Sequence, residues 1–456
     1  MSKHTRSLAA LAIVVLGGAA FGQPVPRPPS AVQRARRAWF GEAKFGLLIQ
    51  WGLYAAPAGE WKGQLIPGPG EWIMRNARIP LKEYEQLASS FRPTQFDAEA
   101  WAKMAEEAGA KYVVVTAKDR DGFAMYRSAS SRFNIFDATP FHRDPLKELA
   151  AACVRHHLKF GVSYSRSEDW HEPNGGGNDW DFAPGAPKDF DQYLQAKAES
   201  QVKELLKGYG AVSLLRFDAG ERLADAQPRR FNELAHSLQP GTMVMGSPSD
   251  GGDYLSFETD RVPQTVTKGD WEVHATINPT GGFKRFDNNW QSTDEIIFQL
   301  VDTVSKGGNY LLGIGPTAEG VIPRPSLSTL ETMGEWLKLY GEAIYGAGPT
   351  PFGDELGPRR AWRCTTKPGK LFVTLFQWPD SPLELNHVAA KVTKAYLMAD
   401  ESHAPLKVTQ SGARVSVALP NDPPFEGEIP ERMNPKFVIA SLREHTHTVV
   451  VLETKP

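Results

Sequence analysis

Cysteine is almost absent from this 456-residue chain, which has only Cys153 and Cys364. Two thiols cannot build a CxxC-type zinc site or a disulfide framework. The plain expectation is two separate buried thiols. Net charge is nearly absent too. The 51 Lys and Arg stand against 53 Asp and Glu, which excludes a polybasic nucleic-acid binder, because neutralising phosphates takes clustered cations. There is no P-loop and no GxSxG nucleophile elbow. Gly175-Gly-Gly177 is a loop with no phosphate-cradling helix start after it. The histidines give no metal-ligand pattern: His156-His157 closes a helix, and His445 and His447 alternate on a terminal strand. No metal site is expected from these residues. Long apolar runs are missing with one exception. Ser7 to Phe21 follows Lys3, His4 and Arg6, and it is shorter than the roughly 20 residues a spanning helix needs. It reads as a signal peptide, residues 1–22, cleaved after Gly22. The expectation is a secreted or periplasmic protein with no membrane span.

What is present is enough apolar material for a large core, 41% hydrophobic against 23% charged. From residue 23 to 346 short apolar runs alternate with helical stretches. Phe45 to Gln50, Lys111 to Thr116, Lys159 to Tyr164, Val212 to Phe217, Thr242 to Gly246 and Tyr310 to Ile314 read as strands. Ala100 to Gly109, Pro145 to His157, Phe190 to Gly208 and Ser292 to Lys306 read as the helices between them. That order predicts an α/β fold with a parallel sheet covered by helices. At this length it predicts a closed (β/α)8-like barrel. No glycine-rich dinucleotide fingerprint follows the first strand, which argues against an open doubly wound sheet. A Gly- and Pro-rich stretch, Gly346 to Gly357, then marks a boundary. Residues 350–456 carry short strands without helical periodicity, at Leu371 to Phe376, Lys391 to Leu397, Arg414 to Leu419, Phe437 to Leu442 and Thr446 to Leu452. They predict a C-terminal antiparallel β-sandwich.

In a parallel barrel the chemistry sits where strands end. Four such stretches are polar: Gln50-Trp-Gly52, Lys118 to Asp121, Tyr164 to Trp170 and Arg216-Phe-Asp218. Asp218 closes an apolar strand, where an unpaired charge is costly. It is either a working carboxylate, a cap on the next turn, or a partner of Arg216 or Arg222. Glu258 and Glu272 follow in a region read as loop between strands. Two carboxyls roughly 5–5.5 Å apart are what a retaining glycosidase needs.

The motifs resemble the α-L-fucosidases of glycoside hydrolase family 29 from about Trp39 to Gly346. The resemblance rests on Trp39-Phe-Gly41, Lys44 to Tyr54, Phe96-Asp-Ala98, Trp101-Ala102, Ala108 to Lys118, Asp121-Gly-Phe123, Leu158 to Gly161, Leu300 to Asn309, Gly334 to Leu337 and Gly341 to Gly346. It implies a barrel followed by a β-sandwich, and retaining hydrolysis of a glycan or glycoside without metal or cofactor. Carried over residue by residue, it implies Asp218 as nucleophile. Glu258 is the implied acid/base, closing Asp253-Tyr-Leu-Ser-Phe-Glu258, with Glu272 of Trp271-Glu272 in reserve. It implies sugar contacts from Gln50, Trp51, Glu71, Trp72, Asp119, Arg120, Tyr164 and Arg216. Several of these depart from the family pattern. Gln50 stands for a histidine, Asp119-Arg120 for a His-His pair, Arg216 for a tryptophan, and Gly246-Ser-Pro248 for Asn-Asp-Arg. A neutral imidazole both donates and accepts, whereas Asp only accepts and Arg only donates. The sugar hydroxyls must therefore be read differently. Three readings follow: an exo-acting α-L-fucosidase, a fucosidase-like enzyme for an altered and anionic sugar, or a catalytically impaired carbohydrate-binding homologue. The sequence leaves the oligomeric state open.

Overall fold

The computed structural model describes residues 30–182, 187–217, 226–352, 361–380, 382–424, 443 and 446–455. The expected signal segment, Asp218, Arg222, His445 and the expected strand Phe437 to Leu442 lie outside the described residues.

Eight parallel strands follow one another around a barrel: β1 (Phe45–Ile49), β2 (Tyr112–Lys118), β3 (Lys159–Tyr164), β4 (Val212–Phe217), β5 (Met243–Val244), β6 (Leu255–Glu258), β7 (Trp271–Thr276) and β8 (Asn309–Ile314). β8 pairs back onto β1, with Phe45 opposite Tyr310. The ring closes between β5 and β6 through one parallel bridge, Met245 to Tyr254. The fold is a (β/α)8-like barrel, as the strand-helix order implied.

The sandwiching pattern explains why most strands read as unbroken apolar runs. Side chains alternate between the barrel axis and the helix layer, and both are buried. Leu48, Tyr112, Val114, Leu214, Met243, Tyr254 and Leu311 fill the axis. Helix α1 (Ala31–Ala43) plugs the bottom. Ser30 and Gln33 form its capping box, Phe40 packs on Tyr254 with ring centroids 5.1 Å apart, and Asn309 donates to the Phe40 carbonyl at 2.7 Å. Buried Arg36 pairs with Asp253 and donates to the Pro240 carbonyl.

The outer layer is α2 (Leu81–Ser90), α3 (Ala98–Glu107), α4 (Pro145–Arg155), α5 (Glu199–Gly208), α6 (Ala226–Leu238), α7 (Thr293–Ser305) and α8 (Arg324–Tyr340). Asp97, Asp144 and Ser292 cap α3, α4 and α7 by accepting from backbone N–H groups of the first turn. The links from β5 to β6 and from β6 to β7 carry only short 3-10 turns.

Behind the barrel, β9 (Trp362–Lys367), β10 (Lys370–Leu375), β11 (Leu383–Leu385), β12 (Lys391–Leu397), β13 (Val408–Ser411), β14 (Arg414–Val417) and β15 (Val449–Lys455) form two antiparallel sheets. Their orders are β9-β10-β15-β12 and β11-β14-β13. Cys364, Val373, Leu385, Val415, Val417 and Val450 fill the space between them. Cys153 is buried in α4, so the two thiols sit in different cores. The other face of the four-stranded sheet packs on α7 and α8. Phe376 meets Phe298 edge-on at 5.0 Å, and Asp302 takes Arg363 and Lys306, each at 2.6 Å.

Candidate active site

The polar residues converge at the C-terminal mouth of the barrel. Gln50 follows β1, and its Oε1 is buried with no hydrogen-bond partner among the described residues. Gly313 lies beneath it: a Cβ there would come within 2.8 Å of that oxygen. The loop after β7 comes in from the side. Gly281, at a φ of +59°, passes so close that a Cβ would touch both Gln50 and Glu71. Glu71 anchors the same loop by accepting from the Gly282 N–H at 2.9 Å.

Asp119 and Arg120 follow β2. The Arg120 guanidinium stacks on Trp72, 4.7 Å from the ring centroid, and its Nε lies 2.6 Å from Glu168 Oε2. Asp119 accepts from the Arg120 N–H at 2.7 Å and lies 3.3 Å from its Nη1. Below this clamp Lys118 turns outward to Asp169, which also holds Lys197 at 3.0 Å. The two lysine charges outweigh burial and hold the Asp169 carboxyl down at about 2.

Across the mouth, Arg216 faces the axis while its neighbour Phe217 faces α6, 5.8 Å from Phe231. Arg216 Nη2 is 3.6 Å from Glu258 Oε1 and its Nε is 3.7 Å from Glu272 Oε1. Both glutamates lie on strands, which corrects their reading as loop residues: Glu258 ends β6 and Glu272 is the second residue of β7. Their settings differ sharply. Glu272 has 0% exposure. Burial pushes its carboxyl up to about 7, against the pull of Arg216 and of the Ser256 and Tyr112 hydroxyls. Glu258 sits on the rim with its side chain 59% exposed. Partial burial raises its carboxyl, but the hydrogen bond and charge of His274, with Arg216 and Arg120, hold it below the usual carboxylate range. His274 Nδ1 lies 3.1 Å from Glu258 Oε2.

The structure thus brings Gln50, Glu71, Trp72, Asp119, Arg120, Arg216 and Glu258 to the mouth. It turns two expected sugar contacts away. Trp51 is wholly buried against Phe96 and Trp101 and donates to the Thr317 carbonyl. Tyr164 is also wholly buried, and its hydroxyl donates to Gln201 on α5. Each follows an inward-facing residue, so each points at the helix layer. Glu272 lies below the pocket floor, under Arg216. Two pocket residues went unnoticed in the sequence: Glu168, inside the polar stretch after β3, and His274, in step with Glu272 on the same strand face. Among the described residues no group of three or more His, Cys, Asp or Glu could hold a metal.

Residues 23–342 match the family model for α-L-fucosidase. Among similar curated proteins is the tissue α-L-fucosidase of Rattus norvegicus, 30% identical over 406 residues, covering 83% of this chain and 84% of that one. Among solved structures, an α-L-fucosidase from Vibrio sp. strain EJY3 superposes with a TM-score of 0.81 at 31% identity, over 94% of this chain and 73% of that one. An α-L-fucosidase isoenzyme from Paenibacillus thiaminolyticus gives 0.77 at 29% identity, over 93% and 100%. The likeness runs through barrel and sandwich alike, and the chain belongs to the α-L-fucosidase family as a fucosidase-like glycoside hydrolase.

Proposed function

We propose that this protein is an exo-acting retaining α-L-fucosidase, with Asp218 as nucleophile and Glu258 as acid/base. The observation that carries the choice of Glu258 is its place on the rim, solvent-accessible and 3.6 Å from Arg216 Nη2 near the described end of β4. Glu272 is walled off by Arg216 and cannot reach a glycosidic oxygen. In the first step Asp218 attacks the anomeric carbon while Glu258 protonates the departing oxygen. In the second, Glu258 takes a proton from the water that displaces Asp218. Gln50 Oε1, buried without a hydrogen-bond partner among the described residues, would accept a hydrogen bond from a sugar hydroxyl. Glu71, Trp72, Asp119 and Arg120 would line the rest of the subsite.

The electrostatics favour a neutral sugar. Arg120 is paired with Asp119 and Glu168, and Arg216 with Glu258 and Glu272. Both guanidiniums are matched within the protein, so neither supports an anionic substrate.

The test is release of nitrophenol from an aryl α-L-fucoside by the wild type and by Asp218→Asn. Turnover that disappears in the variant supports the reading; a folded wild type that turns over no α-L-fucoside refutes it. We further propose export from the cytoplasm, on the basic start and apolar run before Gln23. Among the described residues no helix is long and apolar enough to cross a membrane. A mature protein whose first residue is not Gln23 would rule out that cleavage.

A further inference from the structure

Glu258, read as the acid/base, has a difficulty. A general acid must hold a proton before it can give one. Among the described residues, His274 from β7, Arg216 from β4, Arg120 from the loop after β2 and Glu272 one layer below on β7 act on this carboxyl. The two arginines and the histidine favour its ionised form. At neutral pH, Glu258 by itself would be a carboxylate with nothing to donate.

His274 supplies what is missing. Glu258 and His274 are register partners on adjacent strands, so their side chains project from the same face at the same height. Nδ1 lies 3.1 Å from Oε2 and 3.4 Å from Oε1. The imidazole is 9% exposed, whereas the carboxylate reaches solvent. Carboxylate with imidazolium and carboxylic acid with neutral imidazole contain the same single proton and differ only in where it sits. An imidazole keeps that proton to a pH about two units higher than a carboxyl does.

We propose that Glu258 and His274 form one acid/base dyad in which His274 stores the catalytic proton. This rests on the reading of Glu258 as acid/base. The resting pair is carboxylate and imidazolium. The proton crosses from Nδ1 to Oε2, then passes to the leaving oxygen as the anomeric C–O bond breaks and the bond to Asp218 forms. That leaves carboxylate and neutral imidazole. In the second step water attacks the anomeric carbon, the bond to Asp218 breaks, and the water's proton goes to Glu258 and on to Nδ1. One proton leaves and one returns. His274 acts through Glu258, so it is a positioning residue.

The experiment is the pH dependence of kcat/KM on phenyl α-L-fucoside, whose poor leaving group needs the acid. His274→Asn keeps a donor near the Nδ1 position but cannot ionise, and His274→Ala removes the donor as well. Wild type should hold its rate to a pH above the carboxyl's own range. Both variants should fall about tenfold per pH unit above the carboxyl's own pKa, losing on the order of 30-fold or more between pH 5 and 7. If Asn restores the wild-type profile, or either variant keeps its alkaline limb in place or moves it higher, the dyad is wrong. Glu258→Ala separates this from the underlying reading. Loss of the phenyl substrate, with azide restoring turnover of a nitrophenyl fucoside, establishes the acid/base independently. Full activity of Glu258→Ala on the phenyl fucoside overturns that reading, and the dyad with it.

Discussion

Replacing Glu272 by glutamine should make the protein more stable, and increasingly so as pH rises. Glu272 is wholly buried on the barrel axis, with the Arg216 Nε 3.7 Å away. Burial wins over that attraction and lifts the carboxyl from 4.5 to about 7. The sign follows from proton counting. Between those two values the native state keeps a proton that the unfolded chain releases, so stability falls with rising pH. At 1.36 kcal/mol per unit, the window from 4.5 to about 7 amounts to about 3 kcal/mol. This figure already contains the pull of Arg216, because the raised pKa is the net result. Glutamine has the same shape and never ionises. The advantage of Glu272→Gln over wild type should therefore be near zero below pH 4.5. It should grow through pH 5 to 7 and level off at about 3 kcal/mol. Denaturant unfolding of both proteins at a series of pH values measures the difference, in which the other titrating groups cancel. A difference that is flat from pH 4.5 to 8, or that runs the other way, would refute the argument.

Removing the cation instead should shift the titration. Arg216→Met takes away the charge that pulls Glu272 down, so its carboxyl should rise further and stay protonated at neutral pH; the cost through Glu272 should be under about 1 kcal/mol at pH 7, and in that background the Glu272→Gln advantage should keep growing above pH 7 before it levels off. Glu258→Gln should lower kcat on phenyl α-L-fucoside by roughly 10²–10⁴-fold and on a nitrophenyl fucoside far less; equal losses on both would exclude an acid role. Gln50→Ala removes an acceptor from the pocket and should raise KM about tenfold with little change in stability, as a hydrogen bond of about 1.4 kcal/mol would. Asp302→Ala strands Arg363 and Lys306 at the barrel–sandwich contact and should cost about 3–5 kcal/mol, read as a lower denaturant midpoint.

The barrel was legible because most of its strands are buried on both faces and read as apolar runs. β6 and β7 were not. Their inward residues, Ser256, Glu258, Glu272 and His274, are polar, because that side of the axis lines the pocket and holds the charge beneath it. A strand whose inner face does chemistry looks like a loop to any reading based on hydrophobic pattern. Trp51 and Tyr164 illustrate the opposite limit. The family motifs contain them, yet strict alternation puts them behind Gln50 and Ser163, facing helices. Parity along the strand would have turned both outward. The roles of Glu258 and Glu272 could not be separated by sequence. Each ends a recognisable block, and only burial distinguishes the rim from the floor. Arg120 and Arg216 looked like introduced positive charge until Glu168, Glu258 and Glu272 were found beside them.

The single bridge between β5 and β6 has a consequence for local opening. Every other neighbouring pair in the barrel shares at least two register positions, whereas this seam has only Met245 and Tyr254. Among the described residues no helix covers the outside of β6: Leu255 is 41% exposed and Phe257 leans on Trp271. Few buried contacts mean a low free energy of local unfolding. The amides of Leu255–Glu258 should exchange with deuterium sooner than those of β1, β2 or β8. Glu258, proposed above as the acid/base, would then ride on a strand at the weakest seam of the barrel. Displacing that edge would widen the mouth beside Glu258, while β4 keeps its full pairing with β3.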